Sequence, residues 1–67
     1  MNEQHRIAFR PNEAAQALGV GRDVIFGLLR TGELRSFQAG RARVIPAEAL
    51  REWIQRKLQE ADGAGNG

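Results

Sequence analysis

The segment spanning residues 18–32 constrains the fold most, because glycines delimit a short stretch with a helical pattern. At about 100° per residue, one side of such a helix is apolar and the other is polar or small. The apolar side carries Val24, Ile25, Leu28 and Leu29, and the opposite side carries Arg22, Asp23, Phe26, Gly27, Arg30 and Thr31. We expect the first side to face a core and the second to meet a partner, for which duplex DNA is our hypothesis.

The segment before this helix predicts a second helix packed against it. Pro11 suits the first helical position, although Arg10 is a poor N-cap, and the helix is expected to end at Leu18. Gly19 is expected to end it with a left-handed residue. A second helix from Arg22 to about Thr31, ended by another glycine, completes a helix-turn-helix pattern.

The second half of the chain predicts a basic β-hairpin followed by a third helix. Short extended runs flank a turn at residues 39–40, and Arg35, Arg41 and Arg43 lie on this hairpin, as on a wing. The third helix is expected to begin at Pro46, with a Glu52–Arg56 ion pair on its outer face. Its predicted core face comprises Ala47, Leu50, Trp53, Ile54 and Leu58.

These elements predict a mainly α fold with a small β-hairpin, a winged helix-turn-helix of three helices plus a wing. Residues 7–60 are expected to form the domain, with a flexible N-terminus (residues 1–6) and a flexible tail (residues 61–67). A chain of 67 residues buries only about 60% of the surface that its unfolded form exposes, so the core is expected to be small.

Composition narrows the function classes. Residues 1–45 hold seven arginines against four acids, whereas residues 46–67 have a net charge of −1, so the basic charge lies at the front of the chain. The absence of cysteine excludes disulfides and cysteine zinc sites, and no apolar run predicts a membrane span. With one histidine and no nucleophile–base set, we expect no enzyme activity, no cofactor and no metal. The lack of cysteine fits a reducing cytoplasm, which is the location we expect.

Several runs of the sequence resemble the excisionase family of small winged helix-turn-helix proteins, which are related to the MerR DNA-binding domain. The resemblance covers about residues 9–58. It rests on residues 11–20 (PNEAAQALGV), on Arg22, Ile25, Phe26 and Leu28, and on residues 30–34 (RTGEL), 40–46 (GRARVIP) and 50–54 (LREWI). Gly21, Gly27 and Ala42 depart from the family pattern.

The resemblance implies a DNA-binding protein, also called a recombination directionality factor. Its second helix would enter the major groove, and its hairpin would follow the backbone or the adjacent minor groove. Several copies would bind tandem sites cooperatively, bend the double-stranded DNA and direct an integrase, a tyrosine recombinase, towards excision of a prophage or mobile element.

The expected DNA contacts come from the polar side of the second helix and from the hairpin. They are Arg22, Asp23, Phe26, Gly27, Arg30, Arg35, Arg41 and Arg43. Phe26 either stacks on the DNA backbone or covers the rim of the core, and Gly27 either admits DNA closely or only weakens the helix. Two other functions remain open, a small transcriptional regulator of the same fold and a protein-interaction adaptor that has lost DNA binding.

Overall fold

The computed structural model describes the backbone of residues 7–66 and the side chains of residues 7–62. The expected flexible N-terminus, residues 1–6, lies outside the described residues. The elements in chain order are β1 (Ala8–Phe9), α1 (Pro11–Leu18), α2 (Arg22–Thr31), β2 (Phe37–Ala39), β3 (Ala42–Pro46) and α3 (Ala47–Asn66). The predicted fold class is confirmed, a mainly helical winged helix-turn-helix.

Glycines end both helices of the helix-turn-helix, as predicted. Gly19 has φ +75°, and its N–H donates to the carbonyl of Ala15 at 2.9 Å, while Gly32 has φ +82°. These left-handed conformations are strained for residues with a β carbon, which explains the choice of glycine. At the start of α1, Arg10 offers no side-chain cap, and its backbone N–H donates to Glu13 Oε1 at 2.8 Å.

The strands form one antiparallel sheet in the order β1-β3-β2. Phe9 lies opposite Ile45, and Phe37 lies opposite Val44, so β3 is central and buries Ile45 completely. The hairpin loop is one residue later than predicted: Ala39 pairs with Ala42, which leaves Gly40 and Arg41 in the loop. Gly40 has φ +63°, and a two-residue loop with only its first residue at positive φ matches a type II′ turn.

The core lies where α1, α2 and the start of α3 meet β3. Ala14 and Ala15 are buried and allow α1 to approach α2 closely. The buried cluster consists of Ala14, Ala15, Ile25, Leu34, Ile45, Ala49 and Leu50, with Phe9, Leu18, Val20, Leu28, Leu29 and Trp53 packed against it. The predicted core role of Trp53 is confirmed, since its ring packs against this cluster.

Three residues predicted to face the core are exposed instead. Val24 is 43% exposed because α2 is buried on the side of Ile25, and Val24 lies about 100° from it around the helix. Ile54 and Leu58 are 36% and 53% exposed. The helix of 20 residues is about 30 Å long, and this small domain covers only its first half.

The ends of α3 also differ from the prediction. Pro46 is the last residue of β3, opposite Ala8, and the helix begins at Ala47, whose N–H donates to the Ile7 carbonyl at 2.9 Å. The helix continues to Asn66, so residues 61–66, predicted as a flexible tail, are helical. A glycine in a helix costs about 1 kcal/mol but still donates its N–H, so Gly63 and Gly65 do not stop the helix. The domain boundary at residue 60 stays a prediction.

Candidate nucleic-acid interface

The outer surface of α2 is exposed and basic. Arg22, Asp23, Phe26, Arg30 and Thr31 all have exposed side chains. Phe26 is 43% exposed, and the Arg22 guanidinium carbon lies 5.8 Å from its ring centroid. This distance suits a cation–π contact between residues four apart on a helix. Ile25 anchors the opposite side of α2 in the core, and this anchor determines which side faces solvent.

Asp23 lies against the start of α2. A β carbon added to Gly21, the N-cap residue, would lie only 2.7 Å from Asp23 Oδ1. No side-chain hydrogen bond caps this helix, so the Asp23 carboxylate is the negative charge beside its positive dipole end. The contacted atom is the free end of the Asp23 side chain, which can rotate away, so this contact alone does not require glycine at position 21.

A first groove lies where the beginnings of α1 and α2 meet. Its volume is about 320 Å³, and it is lined by Arg10, Pro11, Asn12, Glu13, Arg22 and Phe26. Arg10 was not among the predicted site residues, since its sequence position suggested only a poor helix cap. The structure brings its side chain to the same concavity as Arg22, so two arginines from two elements lie at one end of α2.

A second groove lies between the other end of α2 and the hairpin. Its volume is about 490 Å³, and it is lined by Leu29, Gly32, Leu34, Arg35, Ser36, Phe37, Arg43 and Pro46. Arg43 donates to Ser36 Oγ at 3.4 Å, and Phe37 is 50% exposed. Sequence reasoning missed Ser36 and Phe37. An aromatic residue in a short strand gave no signal by itself, because only the structure shows that all three residues of β2 are exposed.

Both grooves border the same flank of α2, which we call the basic flank. Arg22, Phe26 and Leu29 fall within about 60° of one another around the helix. Arg22 and Phe26 line the first groove, and Leu29 lines the second. Arg10 and Arg22 therefore lie at one end of this flank, and Arg35 and Arg43 at the other. Arg41 is exposed in the hairpin loop, outside both groove linings.

Arg35 is engaged by an acid of α3. Its guanidinium donates to Glu52 Oε1 at 2.8 Å, and both side chains are more than half exposed. The predicted Glu52–Arg56 pair is wrong, because Glu52 pairs with Arg35 and Arg56 donates to the main-chain carbonyl of Glu33 at 2.7 Å. Arg35 thus has a partner within the protein with which a DNA phosphate would have to compete.

The connection between α2 and β2 is fastened to α3 through Glu33. Glu33 Oε2 accepts hydrogen bonds from Lys57 Nζ at 2.8 Å and from Trp53 Nε1 at 3.1 Å. The Lys57 contact and, second, the indole N–H lower the pKa of the Glu33 carboxyl below its ordinary value. Hydrogen bonds from Lys57 to Glu33 and Glu60 raise the pKa of the lysine. These contacts hold the α2–β2 connection against α3.

Metal-binding clusters and membrane spans are not found in the described part of the chain. Within residues 7–62, the acidic side chains form no group of three or more that could hold a metal ion. Among the helices from α1 to α3, none combines the length and the apolar character needed to cross a membrane.

Two short helices joined by a glycine turn, followed by an arginine-bearing hairpin, define a winged helix-turn-helix protein. The family model described as "Helix-turn-helix domain" matches residues 8–58. A protein named "Probable excisionase" from Saccharopolyspora erythraea is 33% identical over 60 residues, which cover 90% of this chain and 61% of that protein. An "Excisionase" from Streptomyces ambofaciens is 41% identical over 49 residues, covering 73% of this chain and 79% of that protein.

The chain belongs to the excisionase family of helix-turn-helix proteins. It spans about three-fifths of the length of the Saccharopolyspora relative and about four-fifths of the Streptomyces one. No solved structure matches it significantly.

Proposed function

We propose that this chain is a DNA-binding excisionase that binds tandem sites, bends the DNA and directs a tyrosine-recombinase integrase towards excision. The observation that carries the DNA-binding part is the basic flank of α2, with arginines at both of its ends. The names of the two relatives support the excision part. Its place of action would be the cytoplasm of a bacterial cell.

The dimensions of α2 suit the major groove of B-DNA. A helix of ten residues is about 15 Å long, and the major groove is about 12 Å wide, so α2 fits with its outer face towards the base edges. In this arrangement Arg22 and Arg30 reach guanines or phosphates, and the Asp23 carboxylate accepts from a cytosine amino group. Phe26 packs against the sugar-phosphate backbone beside Arg22.

The hairpin supplies the second contact region in this proposal. Arg43 on β3 and Arg41 in the loop follow the backbone or enter the adjacent minor groove, whose negative potential attracts arginine. Four or five arginines that neutralise phosphates give a slope of about −4 for the logarithm of affinity against the logarithm of salt concentration.

The small size of the domain supports binding as an array. One winged module reads few base pairs and buries only about 600–1,000 Å² of protein surface, so a single copy binds weakly. Neighbouring copies on tandem sites add contacts to one another and raise the effective affinity of each copy. Contacts between adjacent copies that follow the helical path of the DNA would bend the duplex.

A gel-shift titration tests this proposal. The probes are duplexes that the wild-type protein selects from a random-sequence pool, carrying one site or two adjacent sites, with circularly permuted versions to measure bending. We expect steeper and tighter binding to the paired sites, a bent complex, and stimulation of excision in an assay with an integrase. A single isolated footprint on straight DNA contradicts the array, whereas promoter occupancy without any effect on integrase identifies a transcriptional regulator.

An arginine variant separates DNA binding from an adaptor role. Arg22→Ala removes a charge from the basic flank, and Arg51→Ala on the exposed side of α3 is its control of equal charge. We expect weaker binding at low salt for Arg22→Ala and little change for the control. Equal affinities of both variants and the wild type would favour an adaptor that does not use this surface for DNA.

A further inference from the structure

Gly27 lies in the middle of α2 although the fold gives no reason for a glycine there. Its backbone is helical, and a β carbon added at this position would meet no atom within 4 Å. Glycine in a helix interior costs about 1 kcal/mol relative to alanine. Gly19, Gly32 and Gly40, by contrast, adopt positive φ, where glycine is the favoured residue.

Gly27 also lies between the exposed polar residues of the outer face. It is four residues after Asp23 and three before Arg30, so these side chains border it on the same side of the helix. Gly27 itself lies about 100–160° around the helix from Arg22, Phe26 and Leu29, the three residues of the basic flank. The outer face of α2 therefore has a notch at Gly27, a half-buried position that carries no side chain and leaves room for a β carbon.

We propose that Gly27 is the point of closest approach between α2 and the base-pair edges on the floor of the major groove. This inference rests on the proposed DNA binding. With the basic flank against one phosphate backbone, the notch points towards the bases rather than towards phosphates. The missing side chain allows the helix to lie deeper in the groove, which brings Asp23 and Arg30 within reach of base edges.

The variant Gly27→Ala tests this inference because it should change stability and affinity in opposite directions. The added methyl group enters open space in the free protein, so the melting temperature should rise by several degrees. On the selected tandem-site duplex, we expect affinity to fall by tenfold or more, because the methyl group collides with base edges. The salt slope should stay unchanged, since no phosphate contact is removed.

Ala17→Gly on α1 is the matched control. Ala17 is exposed and lines neither groove, so this variant removes one methyl group from a helix and should lower stability without changing affinity. The affinities are compared at a temperature at which circular dichroism shows that all three proteins are folded. The pair of variants thus separates an effect on the complex from an effect on the fold.

The possible outcomes are distinct. A loss of tenfold or more for Gly27→Ala at an unchanged salt slope supports the inference. A smaller loss or tighter binding overturns it, and so does a loss that is accompanied by a shallower salt slope, which would indicate phosphate contacts. If the wild-type protein itself binds no duplex at low salt, the proposed function fails, and the inference fails with it.

Discussion

Replacing one isoleucine of α2 and one of α3 by alanine tests where the core ends. Ile25 is fully buried, whereas Ile54, which the sequence pattern also assigns to the core, is 36% exposed. Both residues lie in helices, so the change in helix propensity is the same in both variants and cancels in the comparison. The remaining difference between the two variants reports burial.

The expected losses follow from the burial of each side chain. Ile25→Ala removes the transfer free energy of the buried carbons and leaves a cavity, for a cost of about 3–5 kcal/mol. At the partly exposed Ile54, water fills the space left by the removed carbons, so no cavity forms. Ile54→Ala therefore loses only the transfer free energy of the carbons that the protein covers, about 1–1.5 kcal/mol. A chain of this size has a free energy of unfolding of about 3–10 kcal/mol, so Ile25→Ala is expected to lie near the limit of folding.

Urea titrations monitored by circular dichroism give the free energy of unfolding of both variants. The slope of this free energy against urea concentration should be the same as in the wild type, which checks two-state behaviour. If Ile25→Ala does not fold in water, the valine variants of both residues provide the same comparison at about 0.5–1.5 kcal/mol for Ile25 and less for Ile54. Losses that agree within about 0.5 kcal/mol would refute the reasoning, because Ile54 would then be as well packed in solution as Ile25.

Three further predictions concern charges. The pKa of Glu33 is lower in the folded protein than in the unfolded chain, so the ionised carboxylate stabilises the fold. This stabilisation is complete at pH values above the ordinary carboxyl pKa, and it is lost as the pH falls through the lowered pKa of the folded state. Thermal melts between pH 6 and pH 3 should therefore fall more steeply for wild type than for Glu33→Gln, and parallel curves would contradict this. Glu52→Gln should release Arg35 to DNA and steepen the salt slope by up to about 0.9, whereas an unchanged slope would mean that Glu52 does not withhold Arg35 from DNA. Arg41→Ala should make the slope shallower by about 0.9, and the same slope as wild type would remove the hairpin loop from the interface.

The site illustrates how far sequence reasoning reaches. The exposed polar side of α2 was predictable because every residue of a helix has a calculable direction once Ile25 is assigned to the core. The roles of Arg10 and Phe37 were not predictable, since each depends on a groove formed with an element distant in sequence. The DNA contacts themselves stay predictions that the variants above address.

The sequence by itself determined the elements that depend on neighbouring residues. Glycines at 19 and 32, the proline at 11 and the apolar spacing specify where α1 and α2 begin and end, because caps and periodicity are local properties. Only the tertiary structure decided which apolar residues are buried. Ile54 lies one turn after Leu50 on the same side of α3, but Leu50 is buried and Ile54 is exposed because the rest of the domain covers only the first part of the helix. Likewise, the pairing of Arg35 with Glu52 follows from the packing of α3 beside the α2–β2 connection, because contacts over such a separation depend on how the elements pack.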